Sequence, residues 1–208
     1  MNQKRIVAEG YDRIADGLLA YARRLPPYGR KVAYLERLTQ GLPPSARVLD
    51  LGCGPGEQSA WLSGRSRTIG VDLSRAQLAL ARAHAPAATF LLADMCSLWF
   101  RPASFDAIAA IYSIIHVPRG EHERLLRNLR AFLKPGGRLF AVLGAQAWEG
   151  SEANWLDLGA EMFWSHFDAD AGLALLRGAG FTIAHSAIEP DSQQDGSGHL
   201  FVLAEKAA

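Results

Sequence analysis

A chain of 208 residues is long enough for one well-cored domain and short for two, and 49% hydrophobic with 21% charged residues is the composition of an ordinary globular protein. Its net charge of +1 gives no electrostatic footing for a nucleic acid or an anionic membrane as partner. MNQKRIVAEGYD lacks a signal-peptide core, no later run reaches membrane-spanning length, and Cys53 and Cys96 have neither the number nor the spacing of a disulfide framework or a zinc site, so a cytoplasmic protein with reduced thiols and no metal is expected.

From Asn2 to Leu42 the spacing of Ile6, Ile14, Leu18 and Leu19 predicts helices over 3–24 and 29–41, separated by Pro26-Pro27. Pro43-Pro44 closes that segment before a first strand at Arg47 to Leu51. A short helix at 57–63 follows, then the apolar TIGVD strand ending at Asp72, and Ser74 as cap of a helix through Ala85. A third strand at 89–92 runs into Asp94-Met95, and Phe105 opens a fourth strand over 105–111. Leu125, Leu126, Leu129 and Phe132 share one side of an amphipathic helix from Gly120 to Leu133, which KPGG at 134–137 stops before the RLFAVLG strand. Periodicity fails between Ala145 and Asp168, where Trp148, Trp155 and Trp164 fall. A helix at 169–178, a strand at 182–188, a Gly/Ser/Asp-rich turn and the strand HLFVLAE end the chain. The turn is too short for a crossover helix, so the last two strands pair antiparallel. The expectation is one α/β domain over 1–208: a Rossmann-like, mostly parallel seven-stranded sheet with helices on both faces and an antiparallel C-terminal strand.

VLDLGCGPG, residues 48–56, joins the first strand to a turn with glycines at 52, 54 and 56, where backbone avoided by other residues is open and a ligand can touch the main chain. A dinucleotide fingerprint wants glycines at relative positions 1, 3 and 6, and counting from Gly52 the sixth position is Glu57. Glu57 and Asp50 put two carboxylates beside the place of a pyrophosphate, which disfavours an anionic cofactor and suits a cationic one. The turn, together with an acidic residue at the end of the second strand, resembles the class I S-adenosylmethionine-dependent methyltransferases, and the resemblance runs from about Tyr11 to Glu205. It implies S-adenosylmethionine as cofactor. On that resemblance Asp50, Gly52 and Gly54, with Cys53 between them, hold the methionine end. Asp72, 22 residues after Asp50, accepts the ribose hydroxyls beside Leu73; Asp94 takes the adenine amino group and the Met95 backbone a ring nitrogen. Ile111 and Tyr112 approach the ammonium and the methyl, and Tyr11 in GYDRIA resembles a tyrosine that closes an N-terminal helix over the cofactor. Either aspartate taken alone also reads as a cap of the following turn.

Methyl transfer is an in-line displacement for which positioning alone accounts for about 7–11 kcal/mol of barrier lowering. A hydroxyl or protonated amine also needs a base; a carboxylate does not. His116 in YSIIHV, Tyr112 and His166 in MFWSHF are the candidates for acid/base work, each also explicable as packing. The N-terminal helices, 1–44, and the 145–168 segment are expected to roof the pocket, with Trp148 and Trp164 as substrate contacts. Glu149, Glu152, Asp157 and Glu161 make that segment acidic, which fits a cationic amine acceptor or a solvated face equally. The expected function is methyl transfer to oxygen or nitrogen of a small molecule by a monomer or homodimer. An RNA or protein methyltransferase, and a cofactor-binding protein or cyclase that transfers no methyl group, remain alternatives.

Overall fold

The computed structural model describes residues 3–22, 29–190 and 198–208; the Pro26-Pro27 break, the end of the first predicted helix and most of the Gly/Ser/Asp-rich turn lie outside them. Helices α1 (Gln3–Ala22) and α2 (Gly29–Thr39) precede β1 (Arg47–Leu51), α3 (Glu57–Ser63), β2 (Arg67–Asp72), α4 (Arg75–His84) and β3 (Thr89–Leu92). Then come β4 (Phe105–Ile111), a 3-10 turn at Ile114–His116, α5 (Arg119–Phe132) and β5 (Leu133–Gly144). The chain continues through β6 (Trp148–Glu152), β7 (Met162–His166), α6 (Ala169–Gly178), β8 (Phe181–Pro190) and β9 (Gly198–Lys206).

Seven strands form one sheet in the order β3-β2-β1-β4-β5-β9-β8. The first five run parallel, and β9 lies antiparallel between β5 and β8. Side chains alternate across it. Leu49, Leu51, Phe105, Ile108, Leu139, Ala141 and Val202 face one core, which Leu125, Leu129 and Phe132 of α5 and Leu176 of α6 complete. Val48, Ala107, Phe140, Val142, Phe201 and Leu203 face the other, filled by Tyr34, Leu35 and Leu38 of α2 and Leu62 of α3. Burial on both faces is why these strands are almost continuously apolar.

Two features depart from the sequence-based expectation. KPGG lies within the span of β5: Phe105 pairs with Leu133 and Ala107 with Arg138, so residues 134–137 loop out as a bulge with Gly136 at φ 71°. The aperiodic 145–168 segment contains a two-stranded antiparallel hairpin, β6 with β7. Its exposed β6 gives no alternating pattern to read. The hairpin and α1 share a third hydrophobic cluster, in which Val7 and Ile14 of α1 meet Met162 and Phe163. Gly10 permits that approach, since a Cβ there would lie 2.6 Å from the Glu161 carbonyl oxygen. Among the described residues no helix is long and apolar enough to cross a membrane.

Candidate functional site

Strand order reverses between β1 and β4, and the crevice at that switch point is where an open α/β sheet takes its ligands. The turn after β1 and the turn after β4 line a cavity of about 960 Å³ there, which α1 and the β6–β7 hairpin cover. Every candidate residue except Asp50 is on its wall. Asp50 is buried behind the glycine turn, where it accepts a 2.6 Å bond from the Ser59 hydroxyl, and burial pushes its carboxyl up to about 7.

The three glycines do different work. A Cβ on Gly52 would overlap Ser113, and one on Gly56 would lie 2.9 Å from Ala81 Cα, so these two let neighbouring segments approach. Gly54, at φ 52°, has only Gln77 Oε1 near its absent side chain, at 4.0 Å, and its main chain is open to the cavity. The amides of Gly52 and Cys53 both donate to Val71 O, pinning the turn to the end of β2. The Cys53 thiol is buried on the side of Gly70, so this residue offers the cavity main chain.

Asp72 uses one carboxylate oxygen to accept from Gly54 N at 2.8 Å and the other from Ser74 N at 2.9 Å, with burial raising its pKa against those bonds. Thus it does cap the following turn, and its carboxylate, on the cavity wall, retains acceptor capacity for a ligand. Asp94 is also engaged: Cys96 N donates to it at 2.9 Å, and Lys4 of α1 pairs with it at 2.8 Å and with Glu121 at 2.7 Å. Burial opposes its ionisation, but the Lys4 ammonium and the Cys96 amide hold its carboxyl below the ordinary range. Leu73 and Met95 follow these aspartates along the same wall, and Ile111 ends β4 opposite them.

Tyr11 and His116 meet although 105 residues separate them. Tyr11 Oη is 2.8 Å from His116 Nε2, and His116 Nδ1 is 2.7 Å from the Phe163 carbonyl. A carbonyl only accepts, so the imidazole proton sits on Nδ1 and the tyrosine donates to Nε2. Burial pushes His116 down to about 4, a shift its bond to Phe163 only partly offsets, while burial and Asp72 push the Tyr11 hydroxyl up. At neutral pH both are uncharged, and neither nitrogen of His116 is open to a substrate.

Tyr112 holds a left-handed backbone, φ 53°, at the sheet's C-terminal edge, the kind of local strain that clusters at functional sites. Its ring lies edge-on to His199 at 4.8 Å, with Lys31 Nζ 4.6 Å from its centroid. His166 Nδ1 donates to Gln146 O at 2.7 Å, and Trp148 lies opposite it in the hairpin, rings 6.5 Å apart. Trp164 packs 4.3 Å from His116 and 5.3 Å from Trp155. The acidic side chains of 145–168 do not converge: Glu149 pairs with Arg119 and Ser165, Asp157 accepts from Asn154, and Glu152 alone of the four lines the cavity. Two residues that periodicity gave no reason to single out, Gln77 and Ser113, are buried on the cavity wall with unpartnered polar atoms. Their only sequence signal is a polar residue at a helix or loop position that faces inward.

A family described as "Methyltransferase domain" matches residues 48–137, from β1 to the start of β5. The chain is 42% identical over 101 residues to a trans-aconitate 2-methyltransferase of Variovorax paradoxus, covering 47% of this chain and 38% of that protein. It is 33% identical over 150 residues to the enzyme of that name from Paracidovorax citrulli, covering 70% and 57%. The chain thus spans about half the length of these relatives or less. A Methanosarcina mazei protein described as an S-adenosylmethionine-dependent methyltransferase superposes with a TM-score of 0.73 at 21% identity, covering 88% of this chain and 98% of that one. The [4+2]-cyclase SpnF superposes with a TM-score of 0.75 at 19% identity, covering 97% and 95%. At such identities a superposition speaks for the fold alone. Residues 48–137 thus match a methyltransferase-domain family from β1 to the start of β5, and the strand order with its glycine turn is the class I S-adenosylmethionine-dependent methyltransferase fold.

Proposed function

We propose that this chain binds S-adenosylmethionine at the switch-point cavity and transfers its methyl group to a small molecule seated under α1 and the β6–β7 hairpin. The observation that carries the reading is the wall itself. Gly54 places no side chain in the way, Asp72 keeps acceptor capacity beyond its backbone bonds, and the Gln77 amide, 2% exposed, has neither donor nor acceptor satisfied. Buried amides are rarely left so, and a polyhydroxylated ligand meets that demand.

When bound, the cofactor supplies an electrophilic methyl on a sulfonium sulfur. Asp72, with Gln77 beside it, would hold the ribose hydroxyls. Asp94 would share its carboxylate between Lys4 and the adenine amino group. Tyr11 donates its hydroxyl hydrogen bond to His116, so its oxygen keeps lone pairs with which to accept from a donor in the cavity. α1 and the hairpin, lids in this reading, keep water from the reacting atoms through Trp155 and Trp164. No observation favours a polymer acceptor.

Calorimetry with S-adenosylmethionine, S-adenosylhomocysteine and NAD tests the assignment. Binding of both sulfur ligands and not of NAD is the expected result; binding of neither overturns it. Release of S-adenosylhomocysteine with an acceptor present then separates methyl transfer from binding alone.

A further inference from the structure

On the aromatic part of the wall the Trp164 indole nitrogen is an orphan. Nε1 is buried without a hydrogen-bond partner, in a ring lining the cavity. An indole N–H donates and cannot accept, so a ligand that satisfies it must bring an acceptor atom; an ammonium brings none. The ring stands between His116, 4.3 Å away, and Trp155, 5.3 Å away, and His116 is itself fixed by Tyr11 and Phe163. The donor is therefore held in place.

A second observation concerns the proton. An alcohol or a protonated amine must lose one to a base, and the histidine beside Trp164 has both nitrogens engaged. A nucleophile that arrives deprotonated has no such need. Arg30, bonded to Glu189 and Pro190 O, and Lys31 line the same cavity, as do the carboxylates Glu57, Asp72, Asp94 and Glu152, so the choice of acceptor rests on the Trp164 donor and on the proton and not on the net charge of the wall.

We infer that the methyl acceptor is a carboxylate, one oxygen accepting the Trp164 Nε1–H bond while the other receives the methyl; this rests on the methyltransferase reading above. The carboxylate oxygen forms the bond to the methyl carbon as the carbon–sulfur bond breaks, its electron pair remaining on sulfur. Carboxylate and sulfonium become ester and thioether, and no proton is released.

The test is calorimetric binding of hydrocinnamate, and of the amine and the alcohol of the same skeleton, to the complex with S-adenosylhomocysteine. Hydrocinnamate is expected to bind most tightly and to shift the Trp164 indole N–H resonance downfield. Trp164→Phe, which keeps a ring and removes the donor, is expected to weaken hydrocinnamate about tenfold and leave S-adenosylhomocysteine affinity unchanged. The ranking and the resonance are read on the wild-type protein and stand whether or not the variant folds. Binding of the amine or alcohol as tightly as hydrocinnamate, an unmoved resonance, no loss in a folded Trp164→Phe, or no hydrocinnamate binding at millimolar concentration overturns the inference. A hydroxyl acceptor with His166 as base would then be the better account. Loss of S-adenosylhomocysteine binding in the wild type would instead defeat the cofactor assignment, so the two failures are distinguishable.

Discussion

Gln77 and His116 are buried polar residues of opposite kinds, one unsatisfied and one fully satisfied. Gln77→Leu removes an amide with no protein partner, so the fold should hold or gain stability while S-adenosylhomocysteine binds about tenfold more weakly, readable by melting and calorimetry. His116 has a folded pKa of about 4 against about 6.5 when unfolded, so between those values the unfolded chain takes the proton and the folded one does not. Its contribution is complete above pH about 6.5 and is lost as pH falls toward 4, up to about 3 kcal/mol. Asp50 runs the other way: its carboxyl, raised to about 7, favours the fold most in acid and less as pH rises through that value. The wild-type profile mixes the two. The stability gap between wild type and His116→Phe isolates the histidine and should narrow from pH 7 to pH 4 in denaturant titrations.

Among elements, α1 is the one whose position is decided by polar contacts as much as by packing. Lys4 ties it to Asp94 and Glu121, Tyr11 to His116, and Asp12 accepts from the Ser74 hydroxyl at 2.6 Å and Ala76 N at 2.9 Å at the start of α4. Asp12→Ala removes a charged acceptor from that helix N-terminus, at a cost of about 1 kcal/mol. Hydrogen exchange should speed in α1 and stay slow in β1, β4 and β5; unchanged protection of α1 would show that its apolar face alone docks it. The hairpin has a comparable tie, with Arg119 bonded to Glu149 at 2.9 Å and its amide to Ser165. Amphipathic spacing made α1 legible as a helix, but these partners lie 30 to 117 residues from their counterparts, beyond any local pattern.

For the whole molecule, binding only to the folded state must raise the melting temperature. S-adenosylhomocysteine at a hundredfold over its Kd should add about 2.7 kcal/mol, and NAD should add nothing. With a net charge of +1, acceptor affinity should vary little with salt, whereas a polynucleotide acceptor would show a steep loss between low and physiological ionic strength.

Local chemistry determined much of this protein. Continuous apolar runs, the glycine turn, the Ser74 cap and the short final turn predicted the seven strands of the sheet and its antiparallel end, because each depends on residues close in sequence. Asp72 and Asp94 fall at consecutive strand ends, so the side of the sheet that carries the cavity was legible as well. Only the tertiary structure decided what each polar atom meets. The Phe163 carbonyl fixes the tautomer of His116 and Tyr11 occupies its other nitrogen, Lys4 claims part of Asp94, Gln77 and Trp164 are left facing the cavity with unmet hydrogen bonds, and Glu149 turns outward to Arg119. Those outcomes depend on how α1 and the hairpin pack over the sheet, and a hydrogen bond between segments a hundred residues apart leaves no periodic trace in either of them.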